Sequence, residues 1–503
     1  MLTVYVTQTT ATAAAPTTEK SPWPALFSLV IGFFMILVDL TIVMVATPTI
    51  SEKLHAGVNS VIWVSSAYML AYAVPILITG RLGDRFGSKK LYMLGLVIFT
   101  LASLWCGLTN SIEWLIIART VQGFGASIMT PQTMAIITRI FPQADRGKAM
   151  AVWGATAGVA MVVGPILGGV LTGAFGWEWI FFVNVPVGVL GMVMAQRNVP
   201  ALSTNPHRFD WLGVVLSGVG LFLLAFGIQQ GHQENWAGWI IAMIIGGVVL
   251  LVAFVIWQRV NKAEPLVPLF LFKDRNFSVS TIAITVMGSV AASFGFPLML
   301  WAQAVKGYSP TNAALLLFPM AIMSFLLAKP VGGLTDRIHP RLIMSFGFAA
   351  SLVGSLGVWY ELKTDASIPL LCVWQIVLGV GNAFIWAPTA ATATRNLPMH
   401  LAGAGAGVYN ATRQVGSVIG SAAIAVLIDS RIAHYLPGHS SQAVTGKIPD
   451  AHVAGLFSNA MQDAFLLPTL VYVIGFIAVL FFEAPKHQGF AGAPVAAAPA
   501  GGH

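Results

Sequence analysis

The sequence predicts an all-α integral membrane protein with fourteen membrane-spanning helices, and three observations lead to that prediction. Hydrophobic residues make up 57% of the 503 residues and charged residues only 9%, whereas an average soluble domain has roughly 25% charged residues. Apolar runs of about 20 residues, the length that spans a bilayer, occur fourteen times. One short motif also occurs twice, half a chain apart.

The fourteen apolar runs are mostly separated by short polar segments, and each run is predicted to form one helix. The tenth and the twelfth are expected to be interrupted by Pro319 or Pro388, which membrane helices tolerate. In chain order the runs lie near 25–47, 59–79, 90–109, 112–138, 147–173, 179–196, 211–230, 237–258, 277–303, 310–333, 341–361, 367–394, 401–428 and 464–483.

The repeated motif divides the chain into two related halves. It reads GRLGDR at 80–85, after the second run, and GGLTDR at 332–337, after the tenth. Two plain six-helix units would place the second copy after the eighth run, so two extra helices near 211–258 separate the halves. Internal repeats of this kind are typical of transporters. The sequence therefore predicts two six-helix bundles plus two extra central helices.

These boundaries give the predicted domain organisation. The N-terminal bundle covers 25–200, the linker with the two extra helices 201–276, and the C-terminal bundle 277–483. The C-terminal bundle includes a long polar segment at 429–463, which is predicted to be an extracellular loop. Residues 1–24 and 484–503 are rich in Ala, Thr, Gly and Pro and are predicted to be disordered tails.

The lysine and arginine residues predict the orientation in the membrane. With the N-terminus inside, the inner segments carry 18 of these residues and the outer segments 5, as the positive-inside rule requires. Both termini are therefore predicted to be cytoplasmic. The formal net charge of +8 arises from these short segments and does not indicate nucleic acid as a partner. Cys106 and Cys372 lie far apart and indicate neither a disulfide framework nor a metal site.

Four motifs in four different runs carry a family resemblance. They are the segment 80–90 after the second run, RTVQGFG at 119–125, a Gly- and Pro-rich stripe in the fifth run, and DLTIV at 39–43 followed by Pro48. The chain resembles the major facilitator superfamily, and more narrowly the fourteen-helix drug:proton antiporters of the EmrB/QacA type, over about 25–483. The stripe that the family associates with antiport comprises Gly154, Gly158, Gly164, Pro165, Gly168 and Gly169.

The resemblance implies proton-coupled export of amphipathic compounds by alternating access in the plasma membrane of a bacterium. Its partners would be a small-molecule substrate, protons and membrane lipids, with no cofactor beyond the proton motive force and with the protein as a monomer. Relatives that export dications often carry acids in the thirteenth run. This chain carries none there, so the resemblance does not extend to dication export.

Asp39 is the one acidic residue that the predicted runs place deep in the membrane. Such an acid costs roughly 2.5–3.5 kcal/mol on insertion scales, so it is retained where it is paired or used. Arg119 is predicted to lie at the same depth, roughly 11–12 Å from the outer end of its helix, and Gln122 lies one helical turn away. Burial favours a neutral carboxyl, so this trio is a candidate proton-coupling site. A purely structural ion pair that locks the first helix is the alternative.

The two motif copies are predicted to gate the inner side. An acid at the inner end of a helix can meet the N-terminus or an arginine of a neighbouring helix and hold the two halves together. The structural alternative is a tight solvated turn in which the glycines only permit a sharp bend. The residues expected to gate are Gly80, Asp84, Arg85, Gly87, Asp336 and Arg337.

The substrate cavity is predicted to be mostly aromatic, although an aromatic residue in such a chain is more often a core or lipid-facing residue. Arg413 could bind an anionic head group, which keeps an exporter of lipids or lipid conjugates as an alternative to a drug exporter. An enzyme is disfavoured because the chain has no nucleophile motif, metal cluster or phosphate loop. The candidate cavity residues are Trp63, Tyr68, Phe294, Trp301, Trp386, Tyr409, Asn410, Arg413 and Gln414.

The predicted orientation can be tested by labelling single cysteines with a membrane-impermeant maleimide, after Cys106 and Cys372 are replaced by Ser. Ser203→Cys, in the linker predicted to be cytoplasmic, should react only in permeabilised cells. Lys53→Cys, in a segment predicted to be extracellular, is the matched control and should react in intact cells. Labelling of Ser203→Cys from outside would overturn the topology.

Overall fold

The protein is all-helical throughout the part of the chain that the structure describes, which confirms the all-α prediction. The structure is a computed structural model and describes residues 21–56, 58–204, 210–231, 234, 236–261, 265–397, 401–437 and 448–484. The predicted disordered tails, 1–24 and 484–503, lie almost entirely outside these ranges.

The helices divide into an N-terminal set, a central pair and a C-terminal set. The N-terminal set comprises α1 (Trp23–Lys53), α2 (Val58–Ala73), α3 (Ile76–Phe86), α4 (Ser88–Leu108), α5 (Ile112–Ile140), α6 (Gln143–Phe175), α7 (Trp179–Phe182) and α8 (Asn184–Asn198). The central pair comprises α9 (Trp211–Gly231) and α10 (Gly238–Val260). The C-terminal set comprises α11 (Arg275–Ser293), α12 (Gly295–Ala304), α13 (Pro310–Leu315), α14 (Phe318–Thr335), α15 (Pro340–Glu361), α16 (Ile368–Arg395), α17 (Ala402–Tyr435) and α18 (Ala451–Val479).

Four of the predicted runs are each broken into two helices: α2–α3, α7–α8, α11–α12 and α13–α14. The α2–α3 pair bends by 46°. Pro319 lies in the first turn of α14. A proline is tolerated there because the N–H group that it lacks would have no acceptor within the helix. Pro388 lies inside the continuous helix α16, so the expectation that it interrupts the twelfth run was wrong. The neighbouring helices of a membrane bundle can satisfy the carbonyl that such a proline leaves free.

Eleven helices of the described residues are long and apolar enough to cross a membrane, and the bent α2–α3 pair makes twelve. The helices α5 and α6 are not among them, although they contain 29 and 33 residues. The sequence of α5 is less apolar, since it carries Arg119 and Gln122. By length and composition the described residues therefore contain eleven to twelve spanning helices.

The helices of each half pack mainly on one another. In the N-terminal half α1 packs against α6 and α8, and α5 packs against α2 and α4. In the C-terminal half α11 packs against α17 and α18, and α16 packs against α14 and α15. The halves meet along two seams, α3 against α17 and α6 against α14 and α16. A movement of one half against the other would change the helix contacts along these two seams.

The central pair, α9 and α10, lies beside one seam. The two helices pack on each other, and α9 also contacts α2 and α17. One end of the pair is fixed by Asp210, which accepts hydrogen bonds from Trp257 Nε1 at 2.8 Å, from Gln258 Nε2 at 2.7 Å and from two backbone N–H groups. Burial opposes ionisation of this carboxyl, but these hydrogen bonds outweigh it and lower the pKa of Asp210.

The segment 429–463, predicted to be a polar loop, is largely helical. The helix α17 continues to Tyr435, and α18 begins at Ala451, while residues 438–447 lie outside the described part of the chain. Polar contacts join the two extensions: Arg431 Nη1 lies 3.6 Å from Asp463 Oδ2, and Tyr435 Oη donates to the same oxygen at 3.2 Å. The apolar run length fails to predict helical turns that continue beyond the membrane, because these turns are stabilised by polar pairs.

Candidate functional site

A buried carboxylate ties three helices of the N-terminal half together. Asp39, in the middle of α1, has 0% exposed surface. Its Oδ2 accepts a hydrogen bond from Arg119 Nη1 of α5. Its Oδ1 accepts from Gln122 Nε2 at 2.9 Å and from Asn184 Nδ2, at the start of α8, at 3.1 Å. The structure therefore brings together all three residues of the predicted proton-coupling site.

The guanidinium of Arg119 is as completely enclosed as the carboxylate, with 1% of the residue exposed. Besides Asp39, it donates from Nε to the carbonyl of Val64 at 3.2 Å and from Nη1 to Gln122 Oε1 at 2.7 Å. Its charge also lies 4.1 Å from the ring centroid of Tyr68. A buried ion pair is tolerated only when its remaining hydrogen-bonding groups are satisfied in this way. Tyr68, predicted for the substrate cavity, belongs to this site instead.

Asn184 is a member of the site that sequence reasoning missed. The predicted site residues include the amides Gln122, Asn410 and Gln414 but not Asn184. The available signal was an asparagine within the apolar run 179–196, since a polar side chain in a membrane span is expensive. Its direction could not be predicted, because it depends on the helix break at Val183 between α7 and α8.

At one end of the bundle, which we call the motif end because both motif copies lie there, Asp84 joins the two halves. Its Oδ1 accepts from the backbone N–H of Gly403 at 3.0 Å and its Oδ2 from that of Ala404 at 2.9 Å. These N–H groups belong to the first turn of α17 and have no partner within their own helix. The carboxylate also lies at the positive end of that helix dipole.

Asp336 makes the reciprocal contact in the second copy. Its Oδ1 accepts from the backbone N–H of Gly147, the fifth residue of α6, at 3.0 Å. Each half thus supplies one carboxylate and one helix N-terminus to the other. Burial, partly offset by the Gly147 N–H and by Arg395, raises the pKa of Asp336 to about 6.

The arginines at these contacts are not those predicted. Arg85 and Arg337 are exposed, whereas Arg81 Nη1 lies 3.9 Å from Asp84 and Arg395 Nη2 lies 3.7 Å from Asp336. The reason in the first copy is that α3 continues as a helix to Phe86. Residues three apart share a helix face, and adjacent residues do not.

The structural alternative, in which the glycines of the first copy only permit a sharp bend, does not describe all of these glycines. Only Gly87 forms the turn, with φ at 99°, a conformation that favours glycine. Gly80 and Gly83 are helical. A Cβ on Gly80 would lie 2.6 Å from the carbonyl oxygen of Gly403, so this glycine permits α3 and α17 to approach each other closely.

The predicted antiport stripe lies along α6, which is continuous through Pro165 and also contains Gly158 and Gly169. Only part of the stripe faces the interface between the halves. Gly154 faces Trp386 and Ala387 of α16, across the seam. Gly164 and Gly168 face Thr41 and Ile42 of α1, within the same half. The helix therefore contacts both the helix that carries Asp39 and the opposite half.

Three of the residues predicted for the substrate cavity lie along the seams. Trp386 lines a cavity of about 70 Å³ between α6, α14 and α16, together with Gly154 and Asn382. Gln414 lines a cavity of about 20 Å³ between α2, α9 and α17. Arg413 Nη2 donates to Tyr72 Oη at 3.0 Å and so bridges α17 and α2.

The other predicted cavity residues are packed into the helices. Trp63 stacks on Phe226 of α9 with ring centroids 5.5 Å apart, and Phe294 packs on Phe465 at 4.9 Å. The side chains that complete the set are fully buried in the C-terminal half, and they are Trp301, Tyr409 and Asn410. Sequence alone does not distinguish a core aromatic from one that lines a cavity, because both are apolar positions on the same helices.

This architecture of two helical halves, joined by reciprocal contacts, defines a class of membrane transporter. Residues 29–421 match the family model of the Major Facilitator Superfamily. The chain belongs to this superfamily, and it is therefore a multi-pass membrane transporter and not an enzyme.

Relatives and a solved structure agree with that assignment. An uncharacterised MFS-type transporter of Mycobacterium tuberculosis is 49% identical over 97% of this chain and 84% of its own length. The tetracenomycin C resistance and export protein of Streptomyces glaucescens is 30% identical over 88% of this chain and 82% of its own. The structure of the human organic anion transporter MFSD10 matches 92% of this chain and 100% of its own with a TM-score of 0.63, at 11% identity, which is a likeness of fold alone.

Asp84→Ala should loosen the motif end, because it leaves two N–H groups at the start of α17 without their acceptor. Spin labels on Arg85→Cys and Arg337→Cys, which are exposed positions in opposite halves, would report the separation after Cys106 and Cys372 are replaced by Ser. We expect the variant to gain a longer-distance population. The control is Asp145→Ala, whose pair with Lys148 is about 40% exposed and should contribute little. If the Asp84→Ala variant gives the same distance distribution as the labelled protein that keeps Asp84, the predicted gating role of Asp84 is contradicted.

Proposed function

We propose that this protein exports amphipathic and hydrophobic compounds such as drugs across the bacterial cytoplasmic membrane in exchange for protons. The observation that carries the proposal is the fully buried pair of Asp39 and Arg119 in the middle of the N-terminal half. An ionisable residue inside a membrane protein is expensive and commonly marks a proton or substrate path. The resistance and export function named for the Streptomyces glaucescens relative supports the cargo class.

The proposed cycle uses the charge of Asp39 as its switch. While Asp39 is ionised, it holds Arg119 and fixes α1 against α5. Protonation removes one charge of the pair, so Arg119 is released and a different packing of the helices becomes favourable. The proton motive force supplies the free energy, and no cofactor is needed. A single chain contains every part of this cycle, so we propose that the protein acts as a monomer.

The proposal includes fourteen spanning helices with the motif end in the cytoplasm. Support for the two extra spans comes from α5 and α6, whose 29 and 33 residues correspond to about 44 and 50 Å at 1.5 Å per residue. Both exceed the hydrocarbon thickness of about 30 Å. The lysine and arginine distribution supports cytoplasmic termini.

Export of lipids or lipid conjugates is the second candidate, and Arg413 favours it. This arginine lies at a seam between the halves and is partly buried, with its guanidinium on Tyr72. An anionic head group could replace that hydroxyl as its partner, because a carboxylate or phosphate can accept two parallel hydrogen bonds from one guanidinium, which a single hydroxyl cannot. Proteoliposomes under an imposed pH gradient, supplied with a dye and a lysolipid as competing cargoes, separate the two candidates.

Asp39→Asn should abolish proton-driven transport, since asparagine keeps the size and hydrogen bonding of the side chain but cannot titrate. Arg119→Lys should lose most of the activity, because the guanidinium makes bonds that an ammonium cannot reproduce. Dye efflux from proteoliposomes under a pH gradient measures both. Asp145→Asn, an exposed acid in α6, should transport like the unchanged protein. Normal proton-driven efflux by Asp39→Asn would refute the carrier assignment.

The protein should prefer neutral, monocationic or anionic amphiphiles over dications. Neither cavity described above is lined by an acidic residue, and Asp39 is engaged with Arg119. A second positive charge would therefore be desolvated without compensation. For matched dyes we expect the dication to be exported at least about tenfold less efficiently, which corresponds to about 1.4 kcal/mol. Equal or better export of the dication would mean that another acid reaches the cavity.

A further inference from the structure

Asn184 contacts the Asp39 carboxylate at Oδ1, whereas Arg119 bonds to the other oxygen, Oδ2. Asn184 is 4% exposed and begins α8, directly after the helix break at Val183. Its Nδ2 lies 3.1 Å from Asp39 Oδ1 and 3.0 Å from Ser103 Oγ. Ser103 in turn donates its hydroxyl to the carbonyl of Phe181 at 3.0 Å. Neither Asn184 nor Ser103 was found from the sequence.

The partners determine which way the Asn184 amide points. A hydroxyl has one hydrogen, and Ser103 gives it to Phe181, so Ser103 can only accept from Asn184. An ionised carboxylate can also only accept. Both neighbours therefore require the NH₂ group, and each takes one of its two hydrogens. The amide orientation follows from this network and is not an arbitrary choice between oxygen and nitrogen.

Every group that points at the Asp39 carboxylate is then a donor. Arg119 bonds to Oδ2, while Gln122 and Asn184 bond to Oδ1. The Gln122 amide is committed, since its Oε1 accepts from Arg119 at 2.7 Å and from Cys106 Sγ at 3.7 Å. The titratable or charged groups around Asp39 are Arg119 of α5, Tyr68 of α2 and Cys106 of α4, and none of them lies on α1. Among the described residues, none of the three groups that bond to the Asp39 carboxylate offers an acceptor for the hydrogen of a protonated Asp39.

We propose that Asn184 is a positioning residue of the proton site, whose amide stabilises the ionised Asp39 and so sets the pH at which Asp39 takes up a proton. The inference rests on the proposed function, in which Asp39 is the proton carrier. Asn184 itself exchanges no proton. Its hydrogen bond to Asp39 favours the charged form, as hydrogen bonds to a carboxylate do. Because Asn184 follows the α7–α8 break, a rearrangement of these helices would change that preference.

The test is an infrared titration of the full-length protein in lipid nanodiscs, without any cargo. The C=O stretch of protonated Asp39 is identified as the carboxylic acid band that Asp39→Asn lacks. Asn184→Leu keeps a similar volume and removes the donor. We expect its titration midpoint to move upward by about one pH unit, as the loss of one hydrogen bond to a charged group implies. Asn184→Ala should shift in the same direction and serves if the leucine variant does not fold.

The matched control is Asn198→Leu. Asn198, at the other end of α8, donates from Nδ2 to Ser28 Oγ of α1 at 3.0 Å and so joins the same two helices without contact to Asp39. A merely structural role would make both variants behave alike. We expect Asn198→Leu to keep the unchanged midpoint. A titration of the Asn184 variants that coincides with that of the unchanged protein, or moves no further than that of Asn198→Leu, overturns the inference.

Transport of the unchanged protein, measured in parallel, separates the inference from the function on which it rests. If efflux does not respond to a pH gradient but the Asn184 variants still shift the Asp39 band, the proposed antiport is wrong and the positioning role stands. If efflux is proton-driven and the band does not shift, the antiport stands and the role of Asn184 is refuted.

Discussion

The arrangement of the N-terminal half depends on the buried ion pair between Asp39 and Arg119. Removing two charges from water costs several kcal/mol for each ion, and the attraction between them compensates only if their remaining hydrogen-bonding groups are also satisfied. The partners that satisfy them come from four helices: α1 carries Asp39, α5 carries Arg119 and Gln122, α8 carries Asn184, and α2 supplies the carbonyl of Val64. A change in the charge of one carboxyl therefore acts on four helices at once.

The contacts between the halves follow a different physical principle. At the motif end each half offers a carboxylate to backbone N–H groups near the start of a helix of the other half, Asp84 to α17 and Asp336 to α6. Neither contact is internal to a half, so the halves can separate there without breaking the hydrogen bonds of either bundle. Interactions of this kind suit a switch, because each side remains a folded unit when they are lost.

The helix α6 connects the ion pair to this gate. Its glycines Gly164 and Gly168 pack on α1 at Thr41 and Ile42, two and three residues beyond Asp39. Near the start of α6, Gly147 donates to the Asp336 carboxylate, and Gly154, between this contact and those glycines, faces the opposite half. A shift of α1 after protonation would therefore reach the gate through one continuous helix. The same helix lines the larger of the two cavities described above, so the proposed cargo cavity, the proposed proton site and the proposed gate all contact one element.

The sequence by itself determined the helical membrane class, the two halves with a central pair, the single deep acid and the two motif carboxylates, Asp84 and Asp336. These features depend on composition, run length and the repeat, which are properties of the chain that need no partner. The pairing of Asp39 with Arg119 was predictable because equal depth on two spans permits little else for a buried charge. Tertiary structure alone decided that the arginines beside the two motif carboxylates are Arg81 and Arg395, and not Arg85 and Arg337. It also decided that Asn184 bonds to Asp39 and that Trp301 and Tyr409 belong to the core. Each of these outcomes depends on where a helix breaks or on which face it turns to its neighbour. The pattern of apolar residues along the chain does not contain that information, because a membrane-spanning helix is apolar on every side.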